Sequence, residues 1–165
     1  MCGVYLKGLW MISKFFKSIF TIFSILLVFA LPMNTEAATS ESIKQSIIKQ
    51  AVAMGVDPAI MLSIAKTESG FRQEARGGSG CVGVFQLMPA TAKRMGYNAY
   101  NLDENIKAGI TYYKNMYKTF GSVERAVAAY NLGPEAVKRS TGVPSSAKYF
   151  VARIMKDYEY FKKQI

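Results

Sequence analysis

The chain has 165 residues, half of them apolar, with 21 basic and 11 acidic side chains and no histidine. That length supports one domain with a real core and is too short for two. The missing histidine excludes the usual Ser-His and Cys-His nucleophiles and leaves too few soft ligands for a zinc site, so the chemistry must rest on carboxylates, hydroxyls, amides or lysine, with no cofactor implied.

Lys14 and Lys17 precede an uncharged, largely apolar run from Ser18 to Leu31, after which come Pro32 and a polar segment ending at Ala37. This is the layout of a secretory signal peptide. The run is 14 residues long, whereas a helix needs roughly 20 to cross a bilayer. Thr35 and Ala37 supply the small residues wanted before a cleavage site, which places a signal peptide at 1–37 and the mature domain at 38–165. An uncleaved anchor, with Phe15, Phe16 and the residues near Trp10 lengthening the apolar stretch, is the alternative, and Met11 is a second possible start. Without residues 1–37 the chain keeps 18 basic and 10 acidic side chains. That balance favours polyanionic surroundings. The cations are scattered rather than gathered into an aromatic-interleaved stripe, so an anionic wall or membrane surface suits an exported protein, periplasmic or envelope-bound, better than nucleic acid. Cys2 leaves with the signal, and Cys81 is then the lone thiol, so no internal disulfide forms.

In the mature part, Ile43, Ile47, Ile48, Ala51 and Val52 recur at three and four, with Ser42 and Gln45 as a capping box, and predict a helix ended by Gly55. Asp57 and Pro58 mark the N-cap and first position of a second helix, running to Ser69 before Gly70. Gly77, Gly78, Gly80 and Gly83 make residues 71–83 a loop. A short helix is predicted from Pro89 to Met95. A longer one starts near Asp103, carries Ile106, Ile110, Tyr113, Tyr117 and Phe120 on one stripe, and ends at Gly121. Ser122 caps a helix over Val123–Asn131, and a last helix from about Ser146 bears Phe150, Ile154, Tyr158 and Phe161. The reading is an all-α domain without internal repeats.

The second helix holds an anomaly. Its apolar face carries Ile60, Met61, Ile64 and Ala65, and the next position on that face is Glu68. A carboxylate there loses hydration, which raises its pKa toward the range useful to a general acid. The same position is equally open to a frayed, solvated last turn in which Glu68 partners a lysine. Periodicity alone leaves both readings standing.

Four motifs, in order, tip the balance. Ile64-Ala65-Lys66-Thr67-Glu68-Ser69-Gly70-Phe71 resembles the catalytic helix end of soluble lytic transglycosylases. Gly80-Cys81-Val82-Gly83-Val84-Phe85-Gln86-Leu87-Met88-Pro89, with Thr91-Ala92 behind it, is similar to that family's glycine-rich segment. Asn105-Ile106 with Gly109 and Tyr112-Tyr113 fits the next motif, and Ala129-Tyr130-Asn131 with Gly133-Pro134 the one after. The resemblance covers residues 56–155. It implies a lysozyme-like helical fold with a glycine-rich cleft loop, and a lyase-type cleavage of the MurNAc-GlcNAc bond of peptidoglycan that leaves 1,6-anhydro ends.

Carried over by position, the resemblance implies Glu68 as catalytic acid and base, with Ser69, Gln86, Met88, Tyr130, Asn131 and Tyr149 toward the substrate. By their local patterns alone, Tyr130 could equally be a core aromatic, Asn131 and Gly133 a helix end, Met88 core, and Gln86 a backbone cap. The resemblance to small family members further implies a monomer serving a secretion, pilus or conjugation apparatus. The sequence departs from the family at Cys81, where alanine is usual, at Gly77 for serine and at Phe85 for methionine or leucine. Ser145-Ser146 replaces a Glu-Thr pair ahead of Tyr149. The rival readings are a lysozyme-type hydrolase, with Glu74 or Asp103 as its second carboxylate, and a non-catalytic wall-binding module.

Overall fold

The computed structural model describes residues 38–165; the expected signal peptide lies outside the described residues. Helix α1, Ser40–Ala53, is capped by Thr39, whose side chain accepts a hydrogen bond from the Ser42 backbone amide at 3.1 Å. The expected capping box at Ser42 and Gln45 is not formed. The Ser42 hydroxyl instead bonds back to the Thr39 carbonyl and Gln45 reaches Glu41, because Thr39 offers a hydroxyl cap three residues earlier.

Helix α2, Pro58–Ser69, has the boundaries the sequence dictates: Asp57 Oδ1 accepts from the Ala59 amide at 2.8 Å, and Gly70 ends the helix at φ 62°. Its burial goes further than one face. Every residue from Ala59 to Ala65 is buried, so α2 is the central rod of the domain rather than an amphipathic surface helix. Even the buried Ser63 hydroxyl is satisfied, donating to the Ala59 carbonyl at 2.7 Å. Helices α1 and α7 pack directly against this rod.

Helices α3, Pro89–Arg94, and α4, Leu102–Phe120, follow the glycine-rich loop, and Asn101 caps α4 through the Glu104 amide. Gly121 and Ser122 turn the chain into α5, Val123–Leu132, which packs along α4. On α4 the buried stripe is Ile106, Ile110, Tyr113 and Met116, while the expected Tyr117 is 46% exposed, its ring stacked on that of Tyr113. Two elements escaped the periodicity, α6 at Pro134–Lys138 and a 3-10 turn at Ser145–Ala147. Both are shorter than the two helical turns a 3.6-residue pattern needs to declare itself. The turn leads into α7, Lys148–Lys162.

Residues 71–83 form the expected loop, stiffened by two single bridges, Arg76 with Val82 and Val82 with Leu87. Phe85 at its end is fully buried and lies against α4 where Gly109 has no side chain; a β-carbon there would sit 2.3 Å from Phe85 Cγ. An alanine in a helix interior ordinarily stabilises by about 1 kcal/mol over glycine. At Gly109 the sign should reverse, with Gly109→Ala destabilising by about 1–3 kcal/mol through overpacking. Denaturant melts against Gly142→Ala, whose surroundings are open, check this; an unchanged midpoint would mean that Phe85 is not seated there.

Candidate active site

The last turn of α2 delivers Glu68 to a cleft of about 370 Å³. One wall is the loop, through Gly77, Gly78, Ser79, Cys81 and Gln86–Met88, with Thr91 behind; the other is Tyr112 of α4 and residues 130–133 at the end of α5. Burial pushes the Glu68 carboxyl up from 4.5 to about 7, and no other influence acts on it appreciably. Among the described residues no hydrogen bond or ion pair reaches it. The nearby cations are directed elsewhere: Lys66 pairs with Asp157 at 2.6 Å, Arg72 Nε donates to the Ser69 carbonyl, and Arg76 donates to the carbonyls of Gln73 and Ala75. Of the two readings the helix pattern allowed, the desolvated acid is the one the fold adopts.

Two groups feel the Glu68 charge. Burial first, and then Glu68, pushes the Cys81 thiol up, and the same two influences hold the Tyr130 hydroxyl well above its ordinary value. Tyr130 donates its proton to the Phe85 carbonyl at 2.8 Å, and its ring meets Tyr112 edge-on at 5.1 Å between centroids. Toward the cleft its oxygen can therefore only accept.

Gln86 sits at φ 44°, a left-handed conformation that its side chain helps to hold: Nε2 donates to the carbonyls of Gly83 (2.9 Å) and Ala75 (3.2 Å). A β-carbon on Gly77 would come within 2.7 Å of Gln86 Oε1, so the serine usual in the resembling family does not fit this loop without a shift.

Of the residues expected in the site, Glu68, Gln86, Met88, Tyr130 and Asn131 line the one cleft. Ser69 and Tyr149 do not. Ser69 is buried, its hydroxyl donating to the Val84 carbonyl at 2.8 Å and accepting from the Arg72 amide, so it clamps the loop to the helix end instead of facing the cleft. Tyr149 is 82% exposed on the first turn of α7, while the adjacent Phe150 packs on the core.

Asn105 and Tyr112, which the sequence offered only as part of a motif and without a role, also belong to the site. Asn105 is fully buried; Nδ2 donates to the carbonyls of Val82 and Ala99 and Oδ1 accepts from the Phe85 amide, all at 2.9 Å. A β-carbon on Gly83 would lie 2.4 Å from its Nδ2, so the loop closes on Asn105 only because that position is glycine. The signal was present: an amide side chain one residue before Ile106, on the inward side of α4.

A second, larger depression of about 580 Å³ is lined by Tyr113, Tyr117, Tyr158, Lys114 and Lys118. Its one carboxylate, Asp57, is occupied, Oδ1 capping α2 and Oδ2 accepting from Tyr158 at 2.6 Å. The unpaired acid with a raised pKa is therefore in the Glu68 cleft and not here.

A helical domain whose half-buried, unpaired acid ends a central helix in a cleft walled by a glycine-rich loop is of the lysozyme-like class. The Transglycosylase SLT domain model matches residues 45–151, and the chain belongs to that family. A transglycosylase of Enterobacteria phage PRD1 is 37% identical over 79 residues, covering 47% of this chain and 30% of the phage protein. Among solved structures, an inactive mutant of the lytic transglycosylase Slt from Pseudomonas aeruginosa superposes with a TM-score of 0.64 at 23% identity, over 81% of this chain and 24% of that one. The 70 kDa soluble lytic transglycosylase of Escherichia coli gives 0.64 at 24% identity, over 72% and 24%. A complex of the 70-kDa soluble lytic transglycosylase with bulgecin A gives 0.66 at 21%, over 75% and 25%. These structures share the fold; the chain spans between a quarter and a third of the length of these relatives.

Two outcomes follow from this geometry. Asn105→Ala removes three buried hydrogen bonds and leaves backbone groups of the loop unpaired, so it should cost about 3 kcal/mol or more in a urea melt; a cost below about 1 kcal/mol would mean that the loop holds without it. Because folding raises the Glu68 pKa, its burial costs nothing below pH 4.5, costs progressively more up to about 7 and is fully unfavourable above that. Glu68→Gln should therefore match the parent at pH 4 and exceed it by about 3.5 kcal/mol at pH 8, at roughly 1.4 kcal/mol per pH unit of displacement. Equal stability at both pH values would place the carboxylate in open solvent.

Proposed function

We propose that this protein is a lytic transglycosylase that cleaves the MurNAc-GlcNAc β-1,4 bond of peptidoglycan and leaves 1,6-anhydro-MurNAc ends. The observation that carries the reading is a single carboxyl, held near pKa 7 by burial, in a cleft lined by no other carboxylate. A general acid works best when its pKa lies near the operating pH.

Protonated Glu68 would give its proton to the glycosidic oxygen as that bond breaks, so the departing sugar leaves as the neutral alcohol. The positive charge developing at the muramic anomeric carbon would be met by the substrate's own N-acetyl oxygen, as in the family the sequence resembles. Glu68, now a carboxylate in a site that disfavours its charge, then withdraws the proton of the muramic 6-hydroxyl while that oxygen closes on the anomeric carbon. Water is neither consumed nor released. Tyr130, with its proton committed to Phe85, accepts from protonated Glu68 or from a sugar hydroxyl, and Gln86 presents a carbonyl oxygen to the sugar. Asn131 and Met88 bound the groove.

An exported setting, in the periplasm or envelope, follows from this substrate and from the signal-like segment. Local wall opening for a secretion, pilus or conjugation apparatus is the service the sequence resemblance suggests.

One observation favours the hydrolytic alternative. A shallower depression adjoining the cleft shares Glu68, Gly77 and Gln86 and is lined also by the exposed Glu74, which gives a second carboxylate a route to the bond. Asp103 is lined up with neither depression; it accepts from Gln50 at the start of α4.

Mass spectrometry of digested peptidoglycan separates the two. Anhydromuramyl ends, with Glu74→Gln fully active, are expected; reducing ends and an inactive Glu74→Gln would establish the hydrolase. Glu68→Gln should lower the rate by about 10²–10⁴, and unchanged lysis would remove Glu68 from the mechanism. The protonated fraction of Glu68 falls tenfold per pH unit above its pKa, so the rate at pH 9 should be about a hundredth of its value below pH 7. A flat profile from pH 5 to 9 would contradict the assignment.

A further inference from the structure

Tyr149, placed in the substrate set by sequence and away from the cleft by the fold, heads a row of exposed side chains on α7: Tyr149, Arg153, Lys156, Tyr160 and Lys163. Their spacings of four, three, four and three keep them on one face of a helix, within an arc of about 80° and along about 21 Å. Tyr149 and Tyr160 are 82% and 55% exposed, and Lys66 Nζ lies 5.6 Å from the centroid of the Tyr160 ring. Among the described residues Arg153, Lys156 and Lys163 have no ion-pair partner. The neighbouring acids are turned aside, Asp157 to Lys66 at 2.6 Å and Glu159 toward Lys162 at 3.9 Å.

We infer that this face of α7 is an accessory binding surface for a peptidoglycan strand, separate from the cleft. The inference rests on the proposed substrate. Exposed tyrosine rings offer flat apolar faces to pyranose rings, and the cations between them meet the carboxylates of the stem peptides that such a strand carries. The row is one side chain wide and linear, which matches a rod-like anionic polymer. A bilayer presents a plane, and laying this face on a plane would bring exposed Glu159 on its flank against anionic headgroups. The surface would hold the protein on the wall while the cleft engages and releases individual bonds.

Co-sedimentation with purified sacculi tests this, with every protein in a Glu68→Gln background so that strands stay intact. Arg153→Gln/Lys156→Gln/Lys163→Gln should weaken retention about tenfold. Tyr149→Ala/Tyr160→Ala should do the same, with circular dichroism melts unchanged for both. In the presence of native Glu68, the triple variant should cleave short soluble glycan fragments at the parent rate and intact sacculi more slowly. Equal retention of parent and both variants on sacculi would overturn the inference. So would a triple variant that still binds sacculi but loses binding to phosphatidylglycerol-containing vesicles, because the face would then belong to a membrane. Failure of the proposed function shows differently, as an unaltered protein that cuts neither fragments nor sacculi.

Discussion

The structure turns on burying one carboxylate without giving its charge a partner. An ionised group moved out of water must be paired or must shift its pKa, and here every nearby cation is spoken for. Lys66 reaches across to Asp157 of α7, Arg72 folds onto the Ser69 carbonyl, and Arg76 wraps its own loop. Any of these guanidinium or ammonium groups beside Glu68 would return its pKa to the ordinary range and end its usefulness as an acid near neutral pH. Glu68 thus owes its raised pKa to what does not touch it.

Holding a polar group in such a place needs a rigid frame on both sides. On one side α2 is buried all round from Ala59 to Ala65, and buried Ser69, bonded to Val84, anchors its last turn. On the other, the loop that closes the cleft has its backbone satisfied by side chains from three other elements and by its own Gln73. Ser69 and Gln73 take Val84, Asn105 takes Val82 and Phe85, and Tyr130 takes the Phe85 carbonyl. Buried backbone groups left unpaired are costly, so these contacts define a single loop conformation. Phe85, anchored against Gly109, ties that conformation to the core. The same residue, Phe85, joins the structural anchor Asn105 through its N–H to the cleft tyrosine through its carbonyl, which couples loop position to the surroundings of Glu68.

The distribution of charge divides the surface by task. The cleft contains one acid and no lysine or arginine in its lining, while the outward face of α7 is cationic along its length. The neutral groups that line the cleft leave the pKa of the acid undisturbed. The cations of α7 sit where they cannot shift it.

Local chemistry in the sequence was enough to set the helix α2 between Asp57-Pro58 and Gly70, the α5 cap at Ser122, the loop at the glycine cluster, and the odd carboxylate at position 68. Each depends on neighbours within a few residues, whose dihedral and capping preferences act before any tertiary contact. The caps of α1, the exposure of Tyr117 and the short α6 depended on competing local options or on lengths below two helical turns, and only packing chose among them. The tertiary structure alone decided that Ser69 faces inward as a clamp, that Tyr149 lies on an outer helix face, and that Asn105, distant in sequence from the loop, latches it. A carboxylate's pKa, finally, is a property of everything around it in three dimensions: the sequence placed Glu68 on an apolar face, and the fold shielded it in part from water and kept counter-ions away.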